Sequence, residues 1–248
     1  MSSELKVKPI PPNDGGDGQY KLDDRLPPHP SRVVILGSTG SGKSSWIYTA
    51  LKDWYQTKGK PYYDVVMLFS PTMRYDTAWQ TIPKVEIYGM SGWQEWLTNW
   101  IAEYEQIQEE RVKRGFRKFR ALCVFDDAVT KGISSHGRMG ILDEVWVRGR
   151  NIGISCWIAS QKFRKLNDNI RSLNVSHLVV YSVQRSEVDA VAEEHANNFL
   201  DAPELASAIR KAHETPFQYF LIDKRAPLDK QFRVGMDTVL DLKKKPGA

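Results

Sequence analysis

Apolar residues along the chain keep two rhythms, and each predicts a different kind of element. Unbroken runs at Arg32 to Leu36, Asp64 to Phe69 (DVVMLF), Ala121 to Asp127 (ALCVFDD) and Ile152 to Ala159 are too continuous to alternate between core and solvent. They predict strands of a sheet covered on both faces. Shorter strands are expected at Val85 to Tyr88, His177 to Ser182 and Phe217 to Ile222, the last of the chain. The second rhythm is helical. Trp93, Trp96, Leu97, Trp100, Ile101, Tyr104 and Ile107 recur at three- and four-residue steps, which puts one apolar stripe on a long helix. Further helices are expected from near Lys43 to about Gln56, over Arg138 to Val147, from about Ser186, and over Pro203 to His213. Strands alternating with helices predict an α/β fold.

Outside these elements the pattern fades. Residues 1–28 hold Pro9, Pro11, Pro12, Pro27 and Pro28 around NDGGDG and read as an extended N-terminal arm, a tail or a segment that docks on a neighbouring subunit. The folded domain is expected over 29–225, with a charged tail from 226 to 248. At 248 residues, 41% hydrophobic and 26% charged, the chain has the composition of one soluble domain with appendages. Its polar start, MSSELKVKPI, is no signal peptide and no run approaches membrane-spanning length, so an intracellular protein is expected. Cys123 and Cys156 lie inside apolar runs, without Cys or His partners at metal-ligand spacing, and are expected to be buried thiols. A net charge of +5 permits a polyanionic partner without demanding one.

The first apolar run ends in candidate chemistry. Gly37, Gly42, Lys43 and Ser44 fall at the G-x-x-x-x-G-K-[ST] spacing of a phosphate-binding loop, between a strand and a helix. Gly37, Gly40 and Gly42 let phosphate oxygens approach the main chain, and glycine tolerates the positive φ that turns N–H groups inward. Ser38, Thr39, Ser41 and Ser45 complete the nucleotide-binding segment. Lys43 is expected on the β and γ phosphates of ATP, and the Ser44 hydroxyl on Mg²⁺.

A second apolar run carries acid at its tip. Asp126 is expected to hold the Mg²⁺ shell, and Asp127 to orient or deprotonate the attacking water, because ligands of open α/β sheets sit at strand C-termini. Gln161, at the tip of the strand from Ile152 to Ala159, could sense the γ-phosphate. Arg148 and Arg150, at the opposite end of that strand, could serve a neighbouring subunit's pocket as a transition-state finger. The basic run RVKRGFRKFR, Arg111 to Arg120, is either a solvated face or a phosphate-backbone contact surface, and KFRK, Lys162 to Lys165, is a further candidate for DNA. No spacing among the five histidines suggests a shared site.

Taken in order, HPSRVVILGSTGSGKS, CVFDD, RGRNIGISCWIASQ with NIRSLN, and FLID resemble the genome-packaging ATPases of large DNA viruses and virophages, a branch of the FtsK/HerA superfamily. The likeness spans roughly residues 29 to 225. It implies a RecA-like P-loop NTPase core, with a mostly parallel central sheet flanked by helices and one strand inserted between the phosphate-loop strand and the acidic strand. It also implies a homo-oligomeric ring, pentamer or hexamer, that hydrolyses ATP with Mg²⁺ at subunit interfaces and drives double-stranded DNA into a preformed capsid. A capsid or portal-vertex partner would follow, with action in the infected host cell or in association with the virion. By position Lys43 and Ser44 match the nucleotide and Mg²⁺ residues, Asp126 the metal acid, Asp127 the catalytic acid, Arg150 the finger and Gln161 the sensor. Many members have Glu where this chain has Asp127. The competing expectation is a P-loop kinase of nucleosides or nucleotides, in which the RVKRGFRKFR run would imitate a lid.

Overall fold

The computed structural model describes residues 22–57, 59–72, 77–89, 91–127 and 140–242. Most of the expected arm, the start of the helix expected at Arg138, and the last six residues lie outside them. In chain order come β1 (Arg32–Leu36), α1 (Lys43–Thr49) with a π-helical turn at Ala50–Trp54, the small hairpin β2 (Gln56–Thr57) and β3 (Lys60–Pro61), then β4 (Val65–Phe69) and β5 (Val85–Tyr88). Next are α2 (Trp93–Lys113), β6 (Ala121–Asp126), α3 (Ile141–Ile152), β7 (Ile154–Ser160) and β8 (His177–Val180). The chain continues through α4 (Arg185–His195), α5 (Ala202–Ala212), β9 (Phe220–Asp223), β10 (Phe232–Val234) and β11 (Thr238–Val239).

Among the described residues nine strands form one sheet in the order β11-β10-β9-β8-β1-β7-β6-β4-β5. Pairs from β8 to β5 are parallel, and β9, β10 and β11 join antiparallel. This is the expected mostly parallel α/β sheet, with β7 between β1 and the acid-tipped β6. Its inner strands are continuously apolar because both faces are covered. Val34, Leu36, Met67, Phe125, Cys156 and Ile158 face α2 to α5, while Val33, Ile35, Leu68, Val124, Trp157 and Ala159 face α1 and the aromatic group Trp46, Tyr55, Tyr62 and Tyr63. Cys123 and Cys156 are buried free thiols.

Several boundaries differ from the pattern. On α2 the buried face is Trp93, Leu97, Ile101, Tyr104 and Gln108, and Ile107 is exposed. Gln108 takes the inward place because the ends of two elements need its carboxamide. Its Nε2 donates to Tyr104 Oη (2.8 Å) and to the carbonyls of Phe119 (2.9 Å) and Ile152 (3.1 Å), and its Oε1 accepts from the Phe119 N–H (2.8 Å). Ile152 is the last residue of α3 rather than the first of a strand. Arg148 and Arg150 are therefore helical, and Gly153, at φ 81°, provides the left-handed stop. Gly149 sits inside that helix where a Cβ would meet Arg32 Nη2 and Ile154 Cβ at 3.3 Å.

Residues 226–242, expected as tail, instead extend the sheet through β10 and β11, with Phe232 fully buried. Runs as short as FRV and TV carry too few residues to show a period. The expected arm is tied down from Leu22: Leu26 is buried and Tyr55 Oη donates to Pro27 O at 2.7 Å. The strand expected from Phe217 begins at Phe220, because Phe217 itself is left-handed at φ 61°.

The RVKRGFRKFR run is largely structural. Arg117 forms a two-pronged pair with Asp64 (2.6 and 2.8 Å), Arg111 lies 3.7 Å over the Phe119 ring, and Arg120 lies 4.5 Å over Tyr62. The last residues of the run lead into β6 at its N-terminal end, the far edge of the sheet from the phosphate loop. Three of the six cations of the run thus serve the fold.

Candidate active site

The loop that follows β1 is pinned between its neighbours. Gly37 N–H donates to Ser160 O (3.0 Å) at the end of β7, and Ser38 N–H donates to Ser182 O (2.9 Å) just beyond β8. Between those anchors the chain has no room for side chains at Gly37, where a Cβ would fall 2.3 Å from Ser41 Oγ and 2.9 Å from Tyr181 Cβ. Gly40 (φ 75°) and Gly42 (φ 110°) supply the left-handed turns. Gly42 is also the N-cap of α1 and brings no side-chain hydrogen bond to it. The first-turn N–H groups of α1 are left without a side-chain cap at the end where its dipole attracts anions. Ser44 and Ser45 are exposed there, while Ser38, Thr39 and Gly40 form the outer lip of the loop.

Lys43 is buried, with its Nζ folded back on Gly37 O (2.8 Å) and Ser38 O (3.0 Å). Burial lowers its pKa, and Asp127 and Asp126 oppose that shift. Asp126 ends β6 two strands from β1, roughly 10 Å across the sheet. Burial, reinforced by Asp127, pushes its carboxyl up to about 6 against the pull of Lys43 and a long contact (3.5 Å) from Ser70 Oγ. Both groups are thus drawn toward neutrality, so their mutual attraction does not make up for lost water. Each lacks a counter-charge of the kind a polyphosphate and a divalent cation would bring.

Two polar atoms point the same way. Asp126 Oδ1 and Ser41 Oγ are buried without hydrogen-bond partners among the described residues. Buried polar atoms are nearly always satisfied, and these two lie at the strand edge that carries the phosphate loop. A Mg²⁺ fits the Asp126 carboxylate, because that ion takes one or two carboxylates and completes its shell with water and phosphate oxygens. Asp126 and Ser44 are the residues that would hold it.

Asp127 follows at φ 49°. Asp and Asn are among the residues that enter this left-handed region most readily. Gln161 Nε2 lies 3.2 Å from both Asp127 carboxylate oxygens. The structure therefore brings together the loop, Lys43, Asp126, Asp127 and Gln161 along one edge of the sheet. Arg148 and Arg150 are not among them: they lie beyond the N-terminal end of β7, roughly 20 Å of strand from Gln161. Arg148 pairs with Glu144 and Glu105, and Arg150 is exposed. Sequence reading passed over Ser70 at the tip of β4, whose only signal was a lone hydroxyl closing the apolar run DVVMLF.

The sequence matches the family described as Poxvirus A32 protein over residues 19–238. No curated protein matches it. Among solved structures, the genome packaging NTPase B204 from Sulfolobus turreted icosahedral virus 2, in complex with AMPPCP, is similar at 14% identity and a TM-score of 0.54, covering 83% of this chain and 97% of that one. The cytoplasmic domain of the Thermomonospora curvata type VII secretion ATPase EccC is similar at 14% identity and a TM-score of 0.52, over 88% of this chain and 24% of that one. EssC (ATPases 2 and 3) from Geobacillus thermodenitrificans gives 14% identity and a TM-score of 0.51, over 86% and 39%. Structural likeness at identities this low shows a shared fold alone.

Proposed function

The chain belongs to the Poxvirus A32 protein family, and on that footing we propose that it is a viral genome-packaging ATPase, hydrolysing ATP in a ring of copies to drive double-stranded DNA into a capsid. The observation that carries this reading is the convergence at one sheet edge of a glycine loop, a buried lysine resting on loop carbonyls and a buried carboxylate whose one oxygen has no hydrogen-bond partner among the described residues. The likeness to a genome packaging NTPase in complex with an ATP analogue supports it. Among the described residues no helix is long and apolar enough to cross a membrane.

In this reading the loop amides cradle the phosphates and Lys43 leaves the Gly37 and Ser38 carbonyls for the β and γ oxygens. When bound, Mg²⁺ neutralises charge on those oxygens, held by Ser44 and Asp126. Asp127 orients the attacking water and accepts its proton, while Gln161, bonded to that carboxylate, feels the presence of the γ-phosphate. Arg150 cannot reach its own loop, being on the far edge, and serves the pocket of a neighbouring copy. Lys162, Arg164 and Lys165 are exposed just past Gln161 and offer contacts to the DNA backbone beside the sensor.

The test is ATP hydrolysis by the purified protein with and without double-stranded DNA, with Lys43→Ala as the blank and product analysis for any phosphorylated acceptor. DNA-stimulated release of ADP and phosphate alone is expected. Arg150→Ala should bind ATP normally and turn over about 10³-fold more slowly. A phosphorylated nucleoside among the products would overturn the motor in favour of a kinase.

A further inference from the structure

We infer that Phe217 is the platform on which the base of the bound nucleotide stacks, an inference that rests on the ATPase reading above. Sheet order fixes the direction in which the nucleotide must lie. The strands on one side of β1, β7 and β6, carry Gln161, Asp126 and Asp127, and so take the γ-phosphate end. The nucleoside leaves the loop on the other side, toward β8 and β9.

What waits there follows from strand direction. Because β9 runs antiparallel to β8, with Phe220 opposite Val180, the residues just before β9 emerge at the same edge as the phosphate loop. Tyr219 meets Tyr181 there with ring centroids 5.2 Å apart. Phe217 reaches further: a Cβ built at Gly42 would meet its Cδ1 at 3.7 Å and Tyr181 Cε1 at 3.3 Å. The ring therefore stands beside the last glycine of the loop, yet the residue is 73% exposed. The ring is thus open to a ligand on the side turned away from Gly42. Its backbone is also left-handed at φ 61°, a conformation a bulky residue adopts only under constraint and one that gathers at functional sites.

Space is available beside it. A cavity of about 270 Å³ is lined by Thr215, Pro216, Phe217, Gln218, Tyr219 and Gly235. It shares Tyr219 and Gly235 with a second cavity of about 580 Å³. The smaller one lies near the lower bound of about 300 Å³ for small-molecule sites, and the larger one carries Asp23, Asp53 and Asp237 in its lining. No carboxylate lines the smaller cavity, and its aromatic lip suits the face of a purine.

The experiment compares binding of ATP and of inorganic tripolyphosphate to the wild type and to Phe217→Ala, Phe217→Trp, Phe217→Gly and Lys43→Ala. Tripolyphosphate reads the loop without the base. Phe217→Ala should weaken ATP roughly tenfold or more and leave tripolyphosphate unchanged, and Phe217→Trp should keep ATP. Phe217→Gly should raise the melting temperature by removing the left-handed strain while losing ATP affinity, a combination that a merely structural ring would not give. Unchanged ATP affinity in Phe217→Ala, or equal losses of ATP and tripolyphosphate, overturns the stacking role and leaves the ATPase reading intact. Wild-type protein that binds neither ligand overturns both.

Discussion

Asp126 and Asp64 are two carboxylates at opposite edges of one sheet, and their surroundings are opposite too. Asp64, just before β4, accepts both prongs of Arg117 and the Arg120 N–H (2.8 Å). Burial works to raise its pKa, but these donors outweigh burial and hold the carboxyl below the usual range. Asp126 has one long contact to Ser70, an orphaned oxygen and a pKa pushed up to about 6. At the N-terminal edge polar groups close elements: Gln108 ties α2 to the ends of α3 and the β6 lead-in, and Ser155 joins His29 and Ser31. At the C-terminal edge they face one another across a gap. At the first edge a carboxylate is matched by an arginine of the same fold, and at the second Asp126 is not.

The largest expected effects come from making the two edges alike. Asp126→Asn removes a buried charge that Lys43 and Ser70 do not offset. Since its folded pKa lies above the unfolded value, the folded protein binds the proton more tightly, and stability is gained as pH falls through 6 and lost as pH rises. The variant should therefore be more stable than wild type by up to about 3 kcal/mol at pH 8, with the gap closing toward pH 4. Turnover should fall at least about 100-fold, since even outer-shell partners of a metal are worth 10- to 100-fold. Melting curves at pH 8 and pH 4.5, beside a hydrolysis assay, decide it; a less stable variant at pH 8 would mean that Asp126 is satisfied in the free protein.

Asp64→Asn is the converse change. It removes the carboxylate charge that both Arg117 prongs reach, in a site where the two side chains are only 18% and 16% exposed. A loss of about 2 to 4 kcal/mol is expected, with ATP turnover per folded molecule unchanged. The pH sign is reversed. With the folded pKa depressed, the pair's contribution is present at neutral pH and disappears as pH falls through the folded value, so wild type and variant should converge in acid. Denaturant melts from pH 7 down to a pH well below the ordinary carboxylate value test this, and a difference that does not shrink along the acid series would assign the loss to packing instead.

How legible each edge was in the sequence follows from the same contrast. The phosphate loop and the acid-tipped strand could be read because a local spacing carries the chemistry: Gly37 to Ser44 sit within eight residues, and Asp126 ends an unbroken apolar run. The satisfied edge was opaque because its logic is long-range. Nothing near Gln108 shows that its carboxamide must serve Phe119 and Ile152, and RVKRGFRKFR reads as free charge until Asp64, 53 residues earlier, is found bonded to Arg117. The strands β10 and β11 were missed for brevity, and Ile152 was assigned to β7 because its apolar side chain continues that run, whereas Gly153 sets the boundary.

The smallest expected effect lies with the residues of the far edge that are not woven into it. Arg148 is 57% exposed and holds Glu144 at helical i,i+4 spacing and Glu105 at 3.3 Å. Exposed pairs of this kind contribute about 0.3 to 0.5 kcal/mol, so Arg148→Ala should barely move the melting curve. Arg150 is exposed, makes no hydrogen bond or ion pair among the described residues, and adds to the positive field at Arg32 and Arg225. Arg150→Ala should change stability by less than about 0.5 kcal/mol. A guanidinium that does so little for its own fold, on an edge where Arg117 and Gln108 do so much, is free to act on another molecule. If Arg150→Ala instead unfolds the protein as readily as Asp64→Asn, then Arg150 belongs to the satisfied edge and its service to a neighbouring pocket is excluded.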